Sequence, residues 1–130
     1  MDITTLAALV FGVAALGVIG FQVALALGAP WGAYAMGGTF PERLPPALRV
    51  AAVVQAVAIA LLALIVLSAS GLAIPSVVQE LPWLVWLPVA FSAVSLGLNA
   101  ASRSAGERRI WVPVALVLLA SSLAVALTAR

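Results

Sequence analysis

The chain has 130 residues, of which 65% are hydrophobic and 8% charged, and its mean hydropathy is +1.27. Soluble domains usually carry about 25% charged residues, so this composition excludes an ordinary water-soluble protein. The net charge of +2 is too small for a nucleic-acid-binding surface. Because the chain has no Cys and no His, disulfides and soft-metal sites are excluded. The length allows one domain, residues 1–130.

Four runs without formal charge dominate the sequence, at residues 3–27, 50–70, 81–102 and 110–129. Each is about as long as the α-helix that crosses roughly 30 Å of hydrocarbon. The first run lacks a basic N-terminal region and is expected to be a permanent span rather than a cleaved signal. The sequence therefore predicts an all-α polytopic membrane protein, a four-helix antiparallel bundle with spans at about 3–27, 47–70, 82–102 and 110–129.

The arginines predict the orientation of this bundle. Five of the six arginines lie in the connections 28–46 and 103–109 or at the adjoining helix start: Arg43, Arg49, Arg103, Arg108 and Arg109. The opposite side has only Arg130. An excess of arginine marks cytoplasmic loops. We therefore expect a multi-pass protein of the cell (inner or plasma) membrane, with both termini outside and both connections in the cytoplasm.

The connection 28–46 contains four Gly and four Pro, a density that excludes a continuous helix. We expect a sharp turn around Trp31, a helix start at Pro45-Pro46, and a loop that folds back on the bundle. Pro88 is expected to bend the third span.

Small residues recur at four-residue spacing in the first and third spans, as Gly20, Ala24 and Gly28 and as Ala93, Gly97 and Ala101. Such faces let helices approach closely. They are consistent with a dimer interface, but we favour packing inside the four-helix bundle.

A polar layer is predicted in the cytoplasmic half of the membrane. Amides there should face the bundle interior, because unpaired polar groups are costly in lipid. The candidate pocket, with the Gly/Pro-rich loop as its lid, is formed by Gln22, Tyr34, Gln55, Ser95 and Asn99. Alternatively, the amides of Gln22, Gln55 and Asn99 only bond one another and fix helix register.

The charged residues allow two further interpretations. The five cytoplasmic arginines are candidate contacts for anionic lipid headgroups, or they only set topology. Salt bridges of Glu42 with Arg43 and of Glu107 with Arg108 or Arg109 would hold the two loops together, each pair adding about 0.2–1 kcal/mol if exposed.

Catalysis has little support, because no acid, base or activated nucleophile lies inside a predicted span. No catalytic residue, metal or cofactor is expected. The sequence favours a non-enzymatic module that interacts with membrane lipids or a partner through its cytoplasmic loops. The partner would be a second copy or another membrane protein. The alternatives are a small oligomeric transporter or channel that uses the Gln22, Gln55 and Asn99 layer, and a lipid-modifying enzyme that uses Glu42 or Glu107.

Two groups of residues resemble a known pattern. The first is Gly28-Ala29-Pro30-Trp31-Gly32, Gly37-Gly38, Leu44-Pro45 and Leu48-Arg49; the second is Asn99, Ser102-Arg103-Ser104, Glu107-Arg108 and Pro113. Together they resemble a family of small uncharacterised four-span bacterial membrane proteins with G-A-P-x-G, G-G, L-P-x-x-L-R and N-x-x-S-x-S-x-x-E-R motifs. The resemblance implies a four-span fold in a bacterial cell membrane and implies no activity.

Overall fold

The computed structural model describes residues 1–129, and within them it is helical, without strands. The helices are α1 (Ile3–Ala26), α2 (Pro46–Ala69), α3 (Pro75–Glu80), α4 (Trp86–Ala100) and α5 (Ala105–Thr128). Short 3₁₀ turns occur at Gly32–Tyr34, Met36–Gly38 and Pro82–Val85. Arg130, which the orientation argument counted on the opposite side, lies outside the described residues.

Four helical segments are long and apolar enough to cross a membrane, so the chain is a multi-pass membrane protein of all-α fold. The segment Pro82–Ala100 has the lowest mean hydropathy, 1.5. It reaches roughly 30 Å only because a 3₁₀ turn, with about 2.0 Å rise per residue, precedes α4. Pro88 was expected to bend this span. It is the third residue of α4, and the N–H groups of the first turn have no intrahelical acceptor, so a missing N–H at this position removes no hydrogen bond of α4.

The ends of the spans follow local rules. Glycine in the left-handed region ends α1 at Gly28 (φ +99°) and α2 at Gly71 (φ +83°). The following N–H groups turn back to the last helical carbonyls, Ala29 to Ala24 at 2.9 Å and Leu72 to Leu67 at 2.9 Å, as in Schellman motifs. The predicted start of α2 at Pro45-Pro46 is confirmed, since the helix begins at Pro46.

The bundle is antiparallel, and α1 packs against both α2 and α5, while α4 packs mainly against α5. A core around Phe11 joins α1, α2 and α5 through Ala8, Ala15, Ile59, Val66, Leu118 and Val125. The hydroxyls of Thr4 and Thr128 lie 2.6 Å apart and join the start of α1 to the end of α5. Both arginine-bearing connections therefore lie at the other end of the bundle, hereafter the arginine end.

Two predictions need correction. The fourth helix begins at Ala105, not near 110, so the connection predicted at 103–109 shrinks and places Glu107 in the first turn of α5. The reason is the Ser104 hydroxyl, which caps the helix by accepting from the Glu107 N–H at 3.1 Å. The small-residue face of α4 does not pack inside the bundle: Ala93, Gly97 and Ala101 are exposed, and a Cβ on Gly97 would meet nothing within 4 Å.

Candidate binding cavity

A cavity of about 350 Å³ lies between the helices at the arginine end. All five predicted pocket residues line it: Gln22, Tyr34, Gln55, Ser95 and Asn99. Its apolar wall includes Val18, Ile59, Phe91, Leu98, Val114 and Leu118. The cavity is therefore amphipathic: all four spans and the long connection contribute polar groups, and aliphatic and aromatic groups form the rest of the lining.

The cavity opens sideways between α2 and α4. These two helices have little direct contact, whereas the other neighbouring pairs pack along their lengths. Gln55 on α2 and Leu98 on α4 line the cavity and are still exposed, Leu98 to 69%. In a membrane this gap would face the lipid, so a molecule dissolved in the bilayer could reach the cavity without passing through water.

The amides of the polar layer are partly paired. Gln22 Nε2 donates to Gln55 Oε1 at 2.6 Å, which joins α1 to α2. Asn99 bonds within its own helix, donating from Nδ2 to the Ser95 carbonyl at 2.8 Å. The predicted register lock is thus present for two of the three amides. Gln22 Oε1 is buried and has no hydrogen-bond partner, an arrangement that is rare for a buried polar atom.

Glu107 is the acid of the cavity, although it was not among the residues predicted to form the pocket. It is buried, with 8% of its surface exposed, and lines the cavity. Its Oε2 accepts from the Gly37 N–H at 3.0 Å, 70 residues away in sequence. Neither predicted salt bridge, at Glu42 or at Glu107, occurs within residues 1–129. Instead of pairing with an arginine, the Glu107 carboxylate accepts from a backbone N–H of the long connection. The signal for its position was the S-x-x-E spacing of Ser104 and Glu107, typical of a helix start.

The long connection forms the end wall of the cavity. The Gly32 N–H donates to the Glu42 carbonyl at 2.9 Å and the Ala33 N–H to the Pro41 carbonyl at 3.1 Å, which closes the loop on itself. The Ser104 hydroxyl that caps α5 also donates to the Ala33 carbonyl at 2.7 Å. These bonds confirm that the loop folds back on the bundle.

Glu107 holds a left-handed turn of this loop. Met36, Gly37 and Gly38 all have positive φ, at 53°, 75° and 76°. Such a conformation costs about 1–3 kcal/mol for a residue with a side chain, here Met36. Met36 and Gly37 line the cavity. The hydrogen bond from Gly37 to the Glu107 carboxylate therefore helps to hold this part of the cavity wall in its conformation.

Aromatic rings cover the junction of the loop and the helices. Trp111 donates from Nε1 to the Tyr34 carbonyl at 2.7 Å. Phe21 packs against Trp111 with ring centres 4.6 Å apart and stacks on Trp31 at 6.1 Å. Phe21, Tyr34, Phe91 and Trp111 all line the cavity. Trp111 and Phe91 were missed because an aromatic residue in a span has no sequence signal that separates lipid-facing from cavity-facing positions.

The arginines lie around the cavity and not in it. Arg49 donates from Nε to the Ala26 carbonyl at 2.9 Å and so caps the end of α1. Arg108 bonds the Ser102 carbonyl, while Arg43, Arg103 and Arg109 are exposed. Of the described residues that line the cavity, none is basic. Contact of the arginines with anionic lipid stays a prediction.

Comparisons with protein-family models, curated proteins and solved structures gave no significant match. Any function must therefore be argued from the cavity itself.

Proposed function

We propose that this protein binds a single-chain amphiphile that enters the cavity from the bilayer. The observation that carries the proposal is the amphipathic cavity at the gap between α2 and α4. A polar head would sit beside Glu107, Asn99 and Tyr34. The alkyl chain would lie along the apolar wall and leave through the gap into the surrounding lipid.

The volume supports a ligand of this kind. Small-molecule sites usually enclose about 300–1,000 Å³, and 350 Å³ is at the lower end of that range. A cavity of this size holds a headgroup and the first part of one chain but not a two-chain lipid. The opening between α2 and α4 would let the rest of the alkyl chain stay in the lipid, where it needs no contact with the protein. Transport by an oligomer through the same layer remains the alternative.

The proposed orientation puts the arginine end in the cytoplasm and both termini outside, in the cell membrane. It rests on the five arginines at that end. The absence of native Cys lets single introduced cysteines report it. We expect a membrane-impermeant maleimide applied to intact cells to label Ser76→Cys on α3 and to leave Thr39→Cys in the long connection unlabelled until the cells are opened. The reverse pattern would invert the orientation.

Binding can be followed through Trp111, which lines the cavity. In a variant whose other tryptophans (Trp31, Trp83 and Trp86) are changed to Phe, Trp111 is the only indole. In phosphatidylcholine nanodiscs we expect 3-bromododecan-1-ol to quench its fluorescence with a saturable component, because a bromine close to the bound head would lie near the ring. We expect Ser95→Leu, which fills the cavity, to weaken that component at least about tenfold, a loss of about 1.4 kcal/mol of binding free energy.

The matched control is Ala93→Leu. Ala93 lies two residues before Ser95 on α4 but is exposed on the outer face of the helix and does not line the cavity. The substitution Ala93→Leu should leave the saturable quenching of Trp111 unchanged. Quenching that only rises linearly with probe concentration, or that both substitutions reduce equally, would refute binding in the cavity.

A further inference from the structure

The charge of the cavity indicates which headgroup it selects. Glu107 is the only carboxylate among the described residues that line it, and no basic side chain lines it. A buried carboxylate without a cationic partner is unfavourable in a medium of low dielectric constant. One of its oxygens accepts from Gly37. The other oxygen accepts from no donor within residues 1–129 and is not fully buried.

The other polar atoms add acceptors beside this charge. The amide nitrogens of Gln22 and Asn99 already donate, to Gln55 and to the Ser95 carbonyl. Each of these nitrogens keeps a second hydrogen, but Gln22 Oε1 is buried without a partner, and a ligand can satisfy that oxygen only by donating to it. A ligand that donates hydrogen bonds, or one that carries a positive charge, matches this set better than a phosphate or carboxylate.

The aromatic lining favours the same ligand. The Tyr34 ring lies against Gly106, next to Glu107 in sequence, and Trp111 follows Glu107 by one turn of α5, so both bring rings to the cavity at the end where the carboxylate lies. A cation within about 6 Å of a ring centre is attracted to the ring face, and this attraction is stronger where water is excluded. The arginines that would attract an anion face outward or cap helix ends.

We propose that the cavity selects a cationic amphiphile, a single alkyl chain with an ammonium head beside the carboxylate of Glu107. The inference rests on the proposed function and adds the charge of the ligand to it. It also separates the roles of the two sets of charges at the arginine end. The arginines lie where anionic lipid would be, whereas Glu107 is inside the bundle and would be neutralised by the bound ammonium group.

The test uses three probes that share one brominated chain. These are 3-bromododecyltrimethylammonium, 3-bromododecan-1-ol and 3-bromododecyl sulfate, and their binding to the single-tryptophan protein is followed by the quenching of Trp111 in neutral phosphatidylcholine nanodiscs at pH 7. We expect the ammonium probe to bind at least about tenfold more tightly than the alcohol and the sulfate, since a buried charge pair replaces an unpaired charge.

The informative substitution is Glu107→Gln. Its amide oxygen can still accept from the Gly37 N–H, so the loop should stay in place while the charge is lost. We expect the affinity for the ammonium probe to fall about tenfold and that for the alcohol to change less, so that the preference for the ammonium probe is lost. The control is Glu42→Gln, which removes the same charge from an exposed position in the long connection at the same end. It should leave the preference for the ammonium probe intact, which separates a local effect from membrane surface charge.

Each result decides between the two proposals. If the alcohol binds saturably but the single-tryptophan protein with Glu107 intact shows no preference for the ammonium probe, the charge inference fails and the proposed function stands. The same conclusion follows if Glu107→Gln keeps the preference. If no probe gives a saturable component, both proposals fail. The comparison among probes uses the single-tryptophan protein with Glu107 intact, so it does not depend on whether Glu107→Gln folds.

Discussion

Replacing Gly32 with Ala is expected to lower the free energy of unfolding by about 3 kcal/mol, the upper part of the usual range for overpacking. A Cβ at this position would lie 1.7 Å from the Phe40 carbonyl oxygen and 2.6 Å from that of Glu42. Both atoms belong to the backbone, so no side-chain rotation relieves the clash. The segments around Gly32 and around residues 40–42 would have to separate, with loss of the hydrogen bond from Gly32 to Glu42.

The matched control is Gly20→Ala, in the middle of α1. A Cβ there meets nothing within 4 Å, and Ala is the better helix former by about 1 kcal/mol. The free energy of unfolding, measured by titration with a denaturing detergent, should fall for Gly32→Ala and stay level or rise for Gly20→Ala. Because the loop forms one wall of the cavity, Gly32→Ala should also weaken the saturable quenching of Trp111. Equal stability of the two variants would show that the loop is not closed as described.

Replacing Phe11 with Ala is expected to cost about 2–3 kcal/mol. Phe11 is 1% exposed and fills the core between α1, α2 and α5. In soluble proteins the substitution costs about 3–5 kcal/mol, the sum of a transfer term and a cavity term. In a bilayer the transfer term is small, because lipid chains are as apolar as the core, so mainly the lost packing remains.

Leu16→Ala serves as the control for this prediction. Leu16 lies on the same helix and is 69% exposed. Its removal exchanges side-chain contacts with lipid for other contacts with lipid, and we expect less than about 0.5 kcal/mol of change. The same detergent titration measures both variants. A loss of similar size for Leu16→Ala would mean that this side chain packs against protein, as it would in an oligomer.

The spans could be predicted because charge is excluded from hydrocarbon, and the helix ends because Gly28, Gly71 and Pro46 act locally. The start of α5 was wrong because the last charge, at Arg109, was taken as the boundary. A helix can begin before it enters the apolar layer, and the Ser104 cap decides where. The amide layer was found because polar residues are rare in spans.

The remaining parts of the site depend on contacts between residues far apart in sequence. The bond of Glu107 to Gly37 joins residues 70 apart, and nothing local to either residue specifies it. The close approach of Gly32 to Phe40 arises only once the loop is closed. The small residues of α4 illustrate the opposite case, since a face suited to close packing is exposed at Gly97. The spacing of small residues along a helix does not by itself predict which neighbouring helix, if any, that face packs against.

The most direct test of the central claim is to map where an amphiphile contacts the chain. We would use dodecyltrimethylammonium carrying a photoreactive diazirine near its head, in phosphatidylcholine nanodiscs, and identify the labelled residues by mass spectrometry. Binding in the cavity predicts labels concentrated on Tyr34, Asn99 and Trp111, which disappear when unlabelled dodecyltrimethylammonium is added in excess. Labels spread over outward positions such as Val13 and Val94, and insensitive to competitor, would contradict it.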